Sequence, residues 1–172
     1  AGLAIAIVKD DKIVFTKGYG VREIGKPDVV TPNTMFAIGS SSKAFTAATT
    51  AILVDEGKLK WSDPAAKYLP NLQLYDSWVT RELSVTDLLT HRVGLERGDL
   101  MWYGSAFSRE EILRRIRFLK PSSSMRSRFG YQNIMYLAAG QIVPSVTGKS
   151  WDDFVGERIF TPLGMKSTNT ST

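Results

Sequence analysis

Between Phe36 and Ala47 the chain reads FAIGSSSKAFTA, three consecutive serines and a lysine at the mouth of an apolar run. Ser40 and Lys43 are three apart, so in the first turn of a helix both project from one face and come within hydrogen-bond reach. A serine hydroxyl is a poor nucleophile until a base takes its proton, and a lysine serves where burial disfavours its charged form. The helix start adds free N–H groups and a dipole that would stabilise an oxyanion beside Ser40, and Gly39 lets a substrate approach closely. The competing reading is structural: Ser40 to Ser42 cap the helix and Lys43 is a surface charge. A Ser-x-x-Lys match alone does not decide between them.

A second stretch, RFGYQN, places Tyr131 and Asn133 two apart, behind a loop and ahead of an apolar helix. A phenol beside a cation is drawn toward phenolate and can shuttle a proton, while the Asn133 amide can bind a substrate carbonyl or orient the lysine. Taken alone, the pair also reads as a core tyrosine and a turn asparagine.

The elements that would carry these residues follow from pattern. GLAIAIVKDDKIVFTKGYG gives two apolar, β-branched runs around Lys9-Asp10-Asp11-Lys12, a β-hairpin whose first strand is apolar enough to expect cover on both faces. Two strands do not make a stable sheet, so a further strand should pair with them; none is evident after residue 30, and part of the sheet is expected to lie outside this chain. From about residue 40 the periods become helical. Ala44 to Val54 is apolar almost all round and ends at Gly57, which predicts a helix at the centre of a core. Ser84 with Asp87, Ser108 with Glu111 and Ser150 with Asp153 each mark a later helix start. Asp63-Pro64 and Leu69-Pro70-Asn71 bound a short helical piece, and Pro121 to Ser127 is a polar loop leading into Phe129 to Ala139. Pro144 is expected to kink or end its helix early. The organisation is one α/β domain of the α+β type over residues 1–172: a hairpin and connection over 1–35, and a helical region over 36–172 carrying both motifs.

The net charge is +5, which raises an anionic partner. The densest basic cluster, Arg109, Arg114, Arg115, Arg117, Lys120, Arg126 and Arg128, reads as a helical segment shared with Glu110 and Glu111, so a solvated face is favoured over a nucleic-acid surface. There is no cysteine, hence no disulfide framework or thiolate metal site, and one histidine without clustered carboxylates gives no catalytic metal site. No apolar run reaches the length of a membrane span, and compartment stays open. No leader precedes the first strand, and the start reads as a cut or processed end.

FAIGSSSKAFTA, LLTHRVGL, FGYQNIMYLAAG and ERIFTPLGM, in this order and at these separations, resemble the serine β-lactamase and penicillin-binding-protein superfamily. The similarity is to its class C-like branch, which includes D-alanyl-D-alanine carboxypeptidases, D-aminopeptidases and carboxylesterases, and it covers nearly the whole chain. The resemblance implies that Ser40 is the acylated nucleophile, Lys43 its base and proton relay, Tyr131 a partner base, and Asn133 an amide orienting substrate and lysine. It implies no cofactor. His91, the only histidine, resembles a structural helix-to-loop residue, and no Gly-x-Ser-x-Gly elbow exists to make it a triad base. Trp102 and Tyr103 read as packing, with lining of an acyl pocket as the alternative.

The family's third motif, a Lys-Thr-Gly or His-x-Gly strand supplying a second oxyanion-hole N–H, does not occur after Met165. The sequence therefore implies part of a β-lactamase-like fold whose remaining strands lie elsewhere, acting on a small ester or β-lactam. A D-peptidase is the alternative activity, and an inactive or binding remnant is the non-enzyme alternative.

Overall fold

A computed structural model describes residues 2–171. The chain divides into two units: one runs up to Gly39 and includes the segment from Met165 on, and the other runs from Ser40 to Gly164.

In the first unit, strands β1 (Gly2–Lys9) and β2 (Lys12–Gly20) form an antiparallel pair closed by Asp10 and Asp11. Both turn residues have positive φ, at 50° and 58°, the requirement of a two-residue turn that matches strand twist, which Asp tolerates. The register shifts between Ile7 and Val8, a β-bulge. The following segment folds back, with Val30 N–H donating to the Gly20 carbonyl at 3.0 Å. Gly18 is required there, because a Cβ would stand 2.2 Å from the Val30 carbonyl oxygen. The expected cover of β1 is not found: Leu3, Ile5, Ile7 and Val8 are all exposed. The sheet has two strands among the described residues, and within this unit the Val30 segment lies close to Gly2 and Gly18.

The second unit holds the core. Helix α1 (Ser42–Asp55) packs against α5 (Asn133–Thr147), which also meets α3 (Val85–Leu89), α4 (Arg109–Arg115) and α6 (Trp151–Val155); a short α2 (Ser77–Glu82) precedes α3. α1 ends as its glycine predicts. Gly57 (φ 69°) donates to the Val54 carbonyl and Lys58 to that of Leu53, a Schellman closure. The expectation that α1 is buried all round is corrected. Its buried side is Thr46, Thr49, Thr50 and Leu53, whereas Ala44 and Ala48 are exposed. Thr49 and Thr50 bury without penalty because both hydroxyls donate to the Thr46 carbonyl, at 2.8 and 3.0 Å. The enclosed helix is α5, whose Ile134, Met135, Ala138, Ala139, Ile142 and Val143 are fully buried.

Ser84, Ser108 and Ser150 cap α3, α4 and α6 as their spacing predicts, and Ser84 with Asp87 forms the reciprocal box. Pro144 does not end its helix: α5 continues to Thr147 and closes on Gly148 (φ 71°). The proline removes only its own N–H bond, and the turn beyond it keeps its donors, with Gly148 N–H on the Pro144 carbonyl at 2.9 Å. The basic cluster is not one helix either. α4 carries only Arg109, Arg114 and Arg115, since the chain turns extended at Leu119 before Pro121. Arg114 and Arg115 pair with Glu111, and Arg109 with Asp152.

Arg126, in the loop, has a structural task. Its guanidinium grips the buried Asp87 carboxylate in two bonds, Nε to Oδ1 at 2.9 Å and NH2 to Oδ2 at 2.6 Å. Burial alone would push Asp87 up, but Arg126 and Ser84 bring it below the ordinary carboxylate range. This clamp holds the loop against α3. Residues 91–96 then run alongside 120–130, with Arg126 N–H on the Arg92 carbonyl, Ser122 N–H on Gly94 and Gly130 N–H on His91. Gly94 (φ 88°) is indispensable to that approach, since a Cβ would lie 2.3 Å from the Ser123 carbonyl oxygen.

Candidate active site

Ser40 lies in a 3-10 turn, Gly39–Ser41, that runs directly into α1. Gly39 has φ 51°, a left-handed conformation that favours glycine and turns the chain into the helix. Ser41 occupies the N-cap position yet makes no side-chain capping bond. The Ser41 hydroxyl is thus not a side-chain cap of α1.

From this turn Ser40 Oγ and Tyr131 Oη share a hydrogen bond of 2.5 Å. Lys43 Nζ donates to Ser40 Oγ at 3.2 Å and to Asn133 Oδ1 at 2.6 Å. All four side chains named from the two motifs therefore meet, although Ser40 and Tyr131 are 91 residues apart in sequence. Lys43 Nζ also lies 4.8 Å from the centroid of the Tyr131 ring and 5.5 Å from that of Tyr136, within cation–π range of both.

Tyr131 and Asn133 flank Gln132, which is 2% exposed and bonded through its backbone N–H and both ends of its side-chain amide. Its backbone N–H donates to His91 Nδ1 at 3.0 Å, its Nε2 to the Glu96 carbonyl at 2.7 Å, and its Oε1 accepts from Ile134 N–H at 3.1 Å, capping α5. Asn133 is the first residue of α5, so helical geometry begins there and not at Phe129. Gln132 is the pin that sends Tyr131 and Asn133 toward Lys43.

His91, with φ 56°, stacks its ring between those of Tyr131 (4.6 Å) and Tyr136 (5.1 Å). Burial, with the Lys43 charge behind it, holds His91 below its usual range. The neutral ring is what lets Nδ1 accept from Gln132. Tyr136 anchors the stack by donating to the Leu89 carbonyl at 2.8 Å.

Hydrogen bonding from Lys43 and Ser40, with the charges of Lys43 and Arg97, holds the Tyr131 phenol below its ordinary 10.0 against the opposing effect of burial. Arg97 lies 5.4 Å from the Tyr131 ring and is paired through Nε with Asp99. Asp99 in turn accepts from Asn133 Nδ2 at 3.0 Å and from Trp102 Nε1 at 3.1 Å. Arg97, Asp99 and the pinning role of Gln132 are the parts sequence reasoning missed. The only signal near Asp99 is Gly98, a left-handed residue at 61° ahead of a 3-10 turn. Trp102 is tied to Asp99, and Tyr103 packs edge-on against Trp102 while remaining three-quarters exposed.

Comparison with known proteins fits this geometry. The family model described as Beta-lactamase matches residues 1–172. The chain is 35% identical to "Unguisins hydrolase ungD'" of Aspergillus campestris over 97% of its own length and 33% of that protein's. It is 27% identical to "Protein flp" of Staphylococcus aureus, again over 97% of its own length and 34% of that protein's. Among solved structures, the octameric penicillin-binding protein homologue from Pyrococcus abyssi superposes with a TM-score of 0.84 at 31% identity, over 96% of this chain and 39% of that one. FmtA from Staphylococcus aureus gives 0.82 at 28%, covering 95% and 45%. The D-amino acid amidase of Ochrobactrum anthropi gives 0.82 at 27%, covering 96% and 45%. The chain thus spans about a third of the length of these curated relatives and matches part of a larger α+β fold. It belongs to the beta-lactamase family, on the class C-like branch of the serine β-lactamase and penicillin-binding-protein superfamily.

Proposed function

We propose that this chain carries the nucleophile and proton-transfer half of a serine hydrolase that works through a Ser40 acyl-enzyme. The observation that supports it is the position of Ser40 Oγ within hydrogen-bond reach of both Tyr131 Oη and Lys43 Nζ. Tyr131, held toward phenolate, takes the Ser40 proton as Oγ attacks a carbonyl carbon. The tetrahedral intermediate collapses as the leaving group departs with a proton returned through Tyr131 and Lys43, and an activated water then releases the acid. The Ser40 backbone N–H at the helix start donates to the oxyanion, and the second donor comes from chain outside these residues. No step in this scheme calls on a cofactor or metal.

The substrate class is a small ester or β-lactam. The second reading is amide hydrolysis next to a D-residue, favoured by the likeness to the Ochrobactrum D-amino acid amidase. The deciding experiment is intact-mass spectrometry with and without a fluorophosphonate, followed by peptide mapping. An adduct on Ser40 that a Ser40→Ala variant lacks supports the acyl-enzyme. No adduct would leave a binding remnant as the better reading. Turnover of a nitrophenyl ester against a D-amino acid amide then separates the two substrate classes.

A further inference from the structure

Asn133 stands between a cation and a carboxylate. Its Oδ1 accepts from Lys43 Nζ at 2.6 Å, and its Nδ2 donates to Asp99 Oδ1 at 3.0 Å. The two ends of a carboxamide are nearly identical in shape and opposite in hydrogen-bond sense, so shape alone does not fix which end meets Lys43. An ionised carboxylate accepts and never donates, so it takes only the NH2 end. We propose that Asp99 is a positioning residue for acyl transfer at Ser40: it fixes the Asn133 carboxamide with its oxygen on Lys43, and thereby keeps Lys43 donating to Ser40 while Tyr131 receives the Ser40 proton. This inference rests on the acyl-enzyme reading above.

Asp99 is itself held on both oxygens. Trp102 Nε1 donates to Oδ1, the same oxygen that receives Asn133, and Arg97 Nε donates to Oδ2. Burial would push its carboxyl up, but the bonds from Asn133, Arg97 and Trp102 bring it below the ordinary range, so it stays ionised. The backbone leading into it is confined too: a Cβ on Gly98 would stand 2.9 Å from a Leu119 methyl. If Asn133 turned over, its NH2 group would face the Lys43 ammonium, donor against donor. Lys43 would then lose its 2.6 Å acceptor and its hold on Ser40.

The competing role for Asp99 is purely structural, a tie between Arg97 and Trp102. A swap separates the two. The rate of fluorophosphonate labelling at Ser40 is measured across pH on the full chain for the wild type, D99N, N133D and the double variant D99N/N133D. Isosteric D99N lets the amide pair form either way round, and labelling is expected to slow by about 10- to 100-fold. N133D sets two carboxylates against each other and is slow as well. In the double variant the carboxylate at position 133 has no NH2 end to present, and the amide at position 99 can donate to it, so most of the lost rate returns. A structural tie predicts no such recovery.

Wild-type labelling with an unaffected D99N, or with a slow D99N that the swap does not restore, overturns the positioning role alone. Absence of label on wild-type Ser40 overturns the acyl-enzyme reading and this inference with it. If D99N does not fold, N133D against the double variant carries the same comparison: a faster double variant supports the role, and equal rates overturn it.

Discussion

Ser40 and Lys43 are brought together by a single turn of helix, whereas Tyr131 and Asn133 reach the same point only through contacts from distant segments. The first pair needs the spacing of three and the left-handed Gly39 that starts the turn. The second needs His91 and Glu96 to hold Gln132, Asp99 to hold Asn133, and the Asp87–Arg126 clamp to lay the loop alongside residues 91–96. One motif is local, so substitutions that damage it sit within it. The other is built by tertiary structure, so it can be damaged by residues that never approach Ser40.

The largest expected effect is on the local side. Lys43→Ala removes the donor to both Ser40 and Asn133, and labelling of Ser40 is expected to fall by about 10³-fold with little change in thermal unfolding. A variant that labels at the wild-type rate would remove Lys43 from the chemistry.

Next comes the remote clamp. Arg126→Ala leaves the Asp87 carboxylate buried without its cation, and denaturant titration should show a loss of about 2 kcal/mol, with labelling slowed although Arg126 makes no contact with Ser40. Unchanged labelling in a destabilised chain would mean the tyrosine motif does not depend on this loop.

His91 gives a smaller and pH-dependent effect. Its folded value lies below the ordinary 6.5, so its contribution to stability is complete above pH 6.5 and is lost as pH falls through the lowered folded value. The wild type should lose stability over that acidic window. His91→Asn keeps an acceptor for Gln132 N–H and a residue type tolerant of positive φ, and should flatten the dependence at a cost of about 1 kcal/mol. Equal slopes in the two proteins would contradict the assignment.

The smallest effect is a control on the comparison. Ser108→Ala removes the cap of α4, away from both motifs, and should cost about 1 kcal/mol without altering the labelling rate per folded molecule.

This division also explains what could be read from the sequence. The hairpin, the Gly57 stop and the three serine caps are local events, written in residues two to four apart, and each appears where its signal lies. Ser40 and Lys43 are legible for the same reason. Tyr131 and Asn133 could be named only as a pattern, because what aims them is a set of long-range bonds. Gln132 reads as an ordinary polar residue until its three partners are known, and Asp99 carries no periodic signal. Burial was misjudged wherever it depended on a neighbour: α1 and β1 have the composition of covered elements, but composition does not say which neighbour supplies the cover. The basic cluster was misplaced because charge pattern ignores where Pro121 breaks the chain.

The hairpin carries a practical consequence for anyone handling these residues as an isolated polypeptide. Its strands show apolar side chains to water on both faces, and in the two-strand sheet β1 has β2 as its one strand neighbour among the described residues, which leaves an edge on which further copies add. Self-association should therefore begin at residues 2–20. Loss to the pellet with rising concentration, relieved by a lysine at position 5 or 13, would locate it there.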